Sequence, residues 1–231
     1  MARPRRFEIC PLGGAGVGGM LQTYLWFHLL AGPRRFGELQ RLIPQASRQM
    51  LTNQLRDLER LGVVHRKVFA ELPPHVEYSL TPLGQAAESA IRQFVAWGEW
   101  FCEQMGLDFD AWLVRMGTRW KVWIWYQLFS GPQRFGDLQR ALLAISRQTL
   151  TLELRELQQM RVLVRRFSAD EPQRAEYALT DLAQRSEPIL RQMYAWGREF
   201  CEQAGLDFDW PASAKSVATP VGAFAPRFGA A

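Results

Sequence analysis

Residues 20–30 carry apolar side chains on most faces, and the run stops at Gly32-Pro33, the pattern of a buried helix. Residues 36–43 form a short amphipathic stretch closed by Pro44. Ser47 stands where an N-cap belongs, its hydroxyl ready to accept from a backbone N–H of the next turn, and the segment after it runs to Gly62 as a C-terminal stop. Inside that segment Leu51, Leu55, Leu58 and Leu61 recur at helical spacing and define a buried stripe. Residues 63–69 are rich in β-branched side chains, Pro73-Pro74 forces a turn, and residues 76–80 complete a two-stranded ribbon. Thr81-Pro82 then opens a long helix over residues 82–105, with the proline at its first helical position.

The whole pattern occurs twice. The string Gly32-Pro-Arg-Arg-Phe-Gly-Glu-Leu-Gln-Arg41 returns 99 residues later as Gly131-Pro-Gln-Arg-Phe-Gly-Asp-Leu-Gln-Arg140. The same offset carries Ser47-Arg-Gln onto Ser146-Arg-Gln, Glu77-Tyr78 onto Glu176-Tyr177, Ala96-Trp-Gly onto Ala195-Trp-Gly, and Cys102-Glu-Gln onto Cys201-Glu-Gln. A unit of this length is a domain rather than a solenoid turn. Three helices followed by a hairpin, with a short turn between the second and third, is the layout of a winged helix-turn-helix. The expected fold is therefore mainly α with small β-wings (α+β). Residues 1–19 form an N-terminal arm, 20–105 the first winged-helix domain with its long C-terminal helix, 106–116 a linker, 117–204 the second domain, and 205–231 a largely disordered tail rich in Ala, Ser, Pro and Gly.

Composition narrows the class. With 48% hydrophobic and 22% charged residues in 231, the chain supplies a core and a solvated surface, which excludes wholesale disorder. Its apolar runs break well short of the roughly 18 residues a spanning helix needs, and the basic N-terminus lacks the apolar segment of a secretory signal. Three scattered cysteines without a CxxC pair suit a reducing cytoplasm. The net charge of +5 leans toward a polyanionic partner. Gly14-Ala-Gly-Val-Gly-Gly19 fits GxGxxG, but helices follow where a dinucleotide site needs a βαβ unit. His28, His65 and His75 have no partners at metal-ligand spacing, and no catalytic grouping recurs, so neither an enzyme nor a cofactor is expected.

The strings Gly32-Pro-Arg-Arg-Phe-Gly-Glu-Leu39, Leu51-Thr-Asn-Gln-Leu-Arg-Asp-Leu-Glu59, Pro73-Pro-His-Val-Glu-Tyr-Ser-Leu-Thr-Pro-Leu-Gly84 and Ala96-Trp-Gly-Glu99 closely resemble the HxlR family of bacterial winged-helix transcriptional regulators, and Cys10-Pro11 matches the family's usual start. The resemblance covers residues 10–105 strongly and 117–200 more loosely. Family members ordinarily carry one unit and pair as homodimers through their terminal helices, which implies that two fused units form an intramolecular pseudo-dimer. The stripes Phe94, Gly98, Cys102 and Met193, Gly197, Cys201 are then the expected seam, their small residues permitting close helix approach. Cys102 and Cys201 would face each other there, as buried structural thiols or as a disulfide pair.

On the third helix Arg48, Gln49, Thr52, Asn53 and Arg56 project opposite the leucines, with Ser47 at the cap. Such side chains reach bases and phosphates in a major groove: Arg toward guanine, Asn or Gln toward adenine, Thr toward either. The second unit offers Ser146, Arg147, Gln148, Thr151 and Arg155, but Leu152 replaces Asn53 and Glu153 replaces Gln54. A lost polar reader and an added charge that repels phosphate predict unequal half-sites. The hairpins supply Arg66, Lys67 and His75, and then Arg165, Arg166 and Arg174, for backbone or minor-groove contact. The expected partner is double-stranded DNA bearing an imperfect inverted repeat, the two reading helices about 34 Å apart. A rival reading is a protein-interaction module that has given up DNA, supported by Leu152, Glu153 and Glu156.

Some family members use the cysteine of this Cys-Pro as an oxidant sensor, so Cys10 is the redox candidate. Arg5 and Arg6 would lower its pKa if they stay close, and position 109 is phenylalanine, so the sensor is single. Where the family has a Lys-Trp-Lys string the first unit has Met20-Leu-Gln22, while the second keeps Arg119-Trp-Lys121. Trp120, Trp123, Trp125 and Tyr126 read either as core or as the lining of a small-molecule effector cavity.

Overall fold

The first repeat runs α1 (Gly19–Leu29), β1 (Arg34–Arg35), α2 (Phe36–Leu42), α3 (Arg48–Arg60), β2 (Val64–Phe69), β3 (His75–Leu80), α4 (Pro82–Gln85) and α5 (Glu88–Met105). After α6 (Phe109–Arg115) the order returns as α7 (Arg119–Leu128), β4 (Gln133–Arg134), α8 (Phe135–Ala141), α9 (Arg147–Gln159), β5 (Leu163–Phe167), β6 (Ala175–Leu179), α10 (Asp181–Gln184) and α11 (Glu187–Ala204). This is a computed structural model, and it describes residues 19–70, 74–142, 145–167 and 175–204. Cys10, residues 14–18 of the glycine run, the Pro73 side of the first hairpin turn, Arg174 and the tail from 205 lie outside the described residues.

The expected stripe holds: Leu51, Leu55, Leu58 and Leu61 are buried, and α3 ends where Gly62 takes the left-handed conformation at φ 68°. At the equivalent corner of the second repeat Arg161 adopts φ 58°, a region that disfavours side chains with a Cβ.

Three features were not legible in the pattern. Each hairpin gains a third antiparallel strand, giving orders β1-β3-β2 and β4-β6-β5. Arg34 pairs with Tyr78 and Arg35 with Glu77, so two residues after the Gly-Pro corner close the sheet. The expected long helix is broken: α4 stops at Gln85 and α5 begins at Glu88. At this break the Gly84 carbonyl accepts the Trp26 indole N–H at 2.9 Å, and the missing Cβ of Gly84 leaves room for the Val63 carbonyl, which would lie 2.5 Å away. In the second repeat the Ala183 carbonyl accepts from the Ser186 hydroxyl at 2.7 Å, and the helix breaks at the same place. Finally, the expected linker contains a helix. Gly106 ends α5 in the left-handed region, and Asp108 caps α6 by accepting from the Ala111 N–H at 2.7 Å.

The two repeats share one apolar core. Trp26 of α1 meets Trp196 of α11 with ring centroids 5.1 Å apart. Their counterparts 99 positions away, Trp125 of α7 and Trp97 of α5, meet at 5.3 Å. One tryptophan of each first helix therefore meets a tryptophan of the other repeat's long helix, while α1 also packs along α5 of its own repeat and α5 touches α11. Gly98 does not serve that seam as expected: a Cβ there would stand 2.7 Å from the Phe109 ring, so its absence accommodates α6. Phe109 in turn packs edge-on against Tyr24 at 5.5 Å. Among the described residues no helix is long and apolar enough to cross a membrane, and no group of His, Cys, Asp or Glu gathers to hold a metal ion.

Candidate nucleic-acid interface

With its leucines turned into the core, α3 presents the opposite face outward. Ser47 accepts from the Met50 N–H at 3.1 Å and fixes the first turn; Ser146 accepts from the Thr149 N–H at 3.0 Å. Arg48, Gln49, Asn53 and Arg56 are exposed, and Thr52 is half-buried with its hydroxyl donating to the Arg48 carbonyl at 2.8 Å. On α9 Arg147, Gln148, Thr151 and Arg155 are exposed, and Thr151 donates to the Arg147 carbonyl at the same 2.8 Å. Arg48 lies over the Phe36 ring at 5.0 Å and Arg147 over Phe135 at 5.6 Å. Both guanidinium groups are thereby held beside the short helix that precedes the turn.

Glu153 does not stand on this face. It is buried, and its carboxylate lies 2.9 Å from the Lys121 ammonium and accepts from the Thr118 hydroxyl at 3.0 Å. Glu156 approaches the same ammonium at 2.7 Å. The two carboxylates that weighed against phosphate binding are thus turned toward α7 and share a buried cation. Gln22 and Gln54, both buried, occupy the matching positions of the first repeat. The Lys-for-Gln and Glu-for-Gln changes compensate each other, a coupling visible in the sequence only when both repeats are superposed. Leu152 does stand on the outer face, 54% exposed.

On the ribbons, Arg66, Lys67, Arg165 and Arg166 are exposed. Lys67 sits over Phe69 at 4.7 Å and Arg165 over Phe167 at 5.6 Å. His75 is held differently from a projecting wing residue: its ring stacks on Phe69 at 4.7 Å, and Nε2 lies 3.0 Å from Arg35 and 3.3 Å from Glu77. Glu77 is itself flanked across the sheet by Arg35 and Lys67. The matching Glu176 lies between Arg134 and Arg166. Arg35 and Arg134 had escaped notice because the two-residue strand that carries them has no hydrophobic period.

The model of the HxlR-like helix-turn-helix family matches residues 17–106 and again residues 115–205. The chain belongs to the HxlR-like helix-turn-helix family. Among its relatives, the uncharacterized HTH-type transcriptional regulator YdeP of Bacillus subtilis is 45% identical over 95 residues, 40% of this chain and 74% of that one. The HTH-type transcriptional regulator YodB of the same organism is 40% identical over 75 residues, 32% of this chain and 67% of its own. Of solved structures, the redox regulator HypR in its reduced form is 41% identical, covering 39% of this chain and 89% of that chain with a TM-score of 0.36. The YdeP and YodB matches are each about one repeat long, and this chain carries two copies of the HxlR-like unit.

The HxlR-type core also decides the aromatic cluster. Trp123, Trp125 and Tyr126 are buried in the apolar core, and Trp120 packs against it. An open cleft of about 290 Å³ lies elsewhere, bordered by Leu30, Gly32, Ser79 and Gln85. Cys102 and Cys201 are buried thiols that do not form the disulfide considered for them, and burial pushes them up to about 12 and about 11. Sequence reasoning also missed how α6 reaches the reading motif: Gln45, in the turn between α2 and α3, donates to Asp110 at 3.2 Å.

Proposed function

We propose that this HxlR-type chain is a sequence-specific DNA-binding transcriptional regulator, a repressor that reads an imperfect inverted repeat with its two winged helices acting as an intramolecular pseudo-dimer. One observation carries the reading. Two helices with the same cap and the same outward Arg, Gln, Thr and Arg are presented by repeats joined reciprocally through Trp26–Trp196 and Trp125–Trp97. Arg48, Gln49, Asn53 and Arg56, with Arg147, Gln148, Thr151 and Arg155, would contact bases and phosphates. Arg66, Lys67, Arg165, Arg166 and Arg174 would follow the backbone. Pairing of Glu153 and Glu156 with Lys121 removes most of the support for an interaction module without DNA. An oxidant effector would act at Cys10, since the other two thiols are buried.

The test is selection of bound duplexes from a random library by the full chain at near-physiological salt. Two unequal half-sites about one helical turn apart, with affinity falling steeply as salt rises, are expected. An absence of enrichment with salt-independent retention would overturn the reading.

A further inference from the structure

Within the reading faces of α3 and α9 the two repeats differ at one exposed position. Five of the six residues are shared: Ser47 and Ser146, Arg48 and Arg147, Gln49 and Gln148, Thr52 and Thr151, Arg56 and Arg155. The sixth pair is Asn53 and Leu152. The backbone around both is the same, with a serine cap, a threonine bonded back one turn at 2.8 Å and an arginine laid over a phenylalanine. The second helix therefore offers its face to a ligand in the same way as the first.

Leu152 has no place in the core. It is 54% exposed, while Leu150, Leu154 and Leu157 on the same helix are buried. Its neighbours one turn away on the outer side, Gln148 and Arg155, are polar and exposed. An amide at this position donates to and accepts from adenine; an isobutyl group does neither, but fits the one apolar feature of the major groove, the C5-methyl of thymine. Burying that methyl against Leu152 removes apolar surface of both partners from water.

Resting on the DNA-reading proposed above, we infer that Leu152 is a specificity-determining residue that recognises a thymine methyl in the half-site of the second repeat, where Asn53 recognises adenine in the half-site of the first. The asymmetry of the operator is then a change of chemistry at one base step, and α9 reads sequence as α3 does.

The experiment takes a duplex enriched by the full-length protein and replaces its thymines one at a time with deoxyuridine, which keeps pairing and removes only the methyl. At one position of one half-site the substitution should weaken binding roughly four-fold, the worth of one buried methyl-sized group. Leu152→Ala should bind thymine and deoxyuridine duplexes equally at that position. A repeated selection with Leu152→Asn should enrich adenine there and make the half-sites more alike. Because the side chain is exposed, neither variant should change the melting temperature. Indifference of the wild-type protein to every deoxyuridine, or a methyl preference that survives in Leu152→Ala, would overturn the assignment while leaving DNA binding intact. Failure to enrich any duplex would overturn the DNA reading, and this assignment with it.

Discussion

The Lys121 ammonium lies 2.9 Å from the Glu153 carboxylate, and both residues are almost fully withdrawn from water. A pair in this position ties α7 to the inner face of α9. Removing one partner leaves an uncompensated buried charge, which costs more than the pair itself contributes. Lys121→Met should therefore destabilise the protein by about 3–5 kcal/mol, measured by urea denaturation. The double change Lys121→Gln with Glu153→Gln, which installs the residues of the first repeat, should recover most of the loss. Additive effects of the two single changes would contradict the pairing.

Arg56→Ala and Arg155→Ala should weaken binding to a selected duplex to a similar degree, each by about 1–3 kcal/mol if the guanidinium reads a base. Glu153 does not repel phosphate from the outer face of α9, because its carboxylate is buried beside Lys121. Fluorescence anisotropy checks this; a loss confined to Arg56 would show that α9 does not engage DNA.

Arg161→Gly should stabilise the second repeat by about 1 kcal/mol, because φ 58° is strained for arginine and free of strain for glycine. The reciprocal Gly62→Ala should destabilise the first repeat, where φ is 68°. Thermal melts of the two variants should move in opposite directions.

Gly98→Ala should destabilise in spite of alanine's better helix propensity, since its methyl would meet the Phe109 ring at 2.7 Å. A loss of about 1–3 kcal/mol is expected. The effect should shrink in a Phe109→Leu background, and a double-mutant cycle by chemical denaturation measures the coupling.

Native protein should resist alkylation by iodoacetamide at Cys102 and Cys201 near pH 8, whereas unfolded protein should react at both, as read by mass spectrometry. Burial raises the two thiols from an ordinary value of 9.0 to about 12 and about 11. The folded state then holds protons that the unfolded state releases, so stability is intact below pH 9 and falls as pH rises through these values. An alkaline melt of Cys102→Ala should show a shallower decline than wild type.

What the sequence conveys here is unequal, for reasons of length and partnership. Leu51, Leu55 and Leu58 repeat at helical spacing, so α3 and its outer face are legible, as are the Ser47 cap and the Gly62 stop. The strand Arg34–Arg35 is too short to carry a period and exists because Tyr78 and Glu77 lie beside it. At the break between α4 and α5, the Gly84 carbonyl is met by Trp26, nearly sixty residues away in the chain. Glu153 looks like a surface charge until Lys121 is placed against it. The exposed polar face thus follows from local pattern, while the inward-facing charges and the helix ends follow from distant partners.

The facing tryptophans, Trp26 with Trp196 and Trp97 with Trp125, hold the two helix-turn-helix units of a single polypeptide together. In a regulator assembled from two identical chains every substitution is made twice, so a new preference must suit both halves of its target at once. Here one codon alters one repeat alone. Under the function proposed above, the target can drift a base at a time, with the repeat that reads the changed side following it.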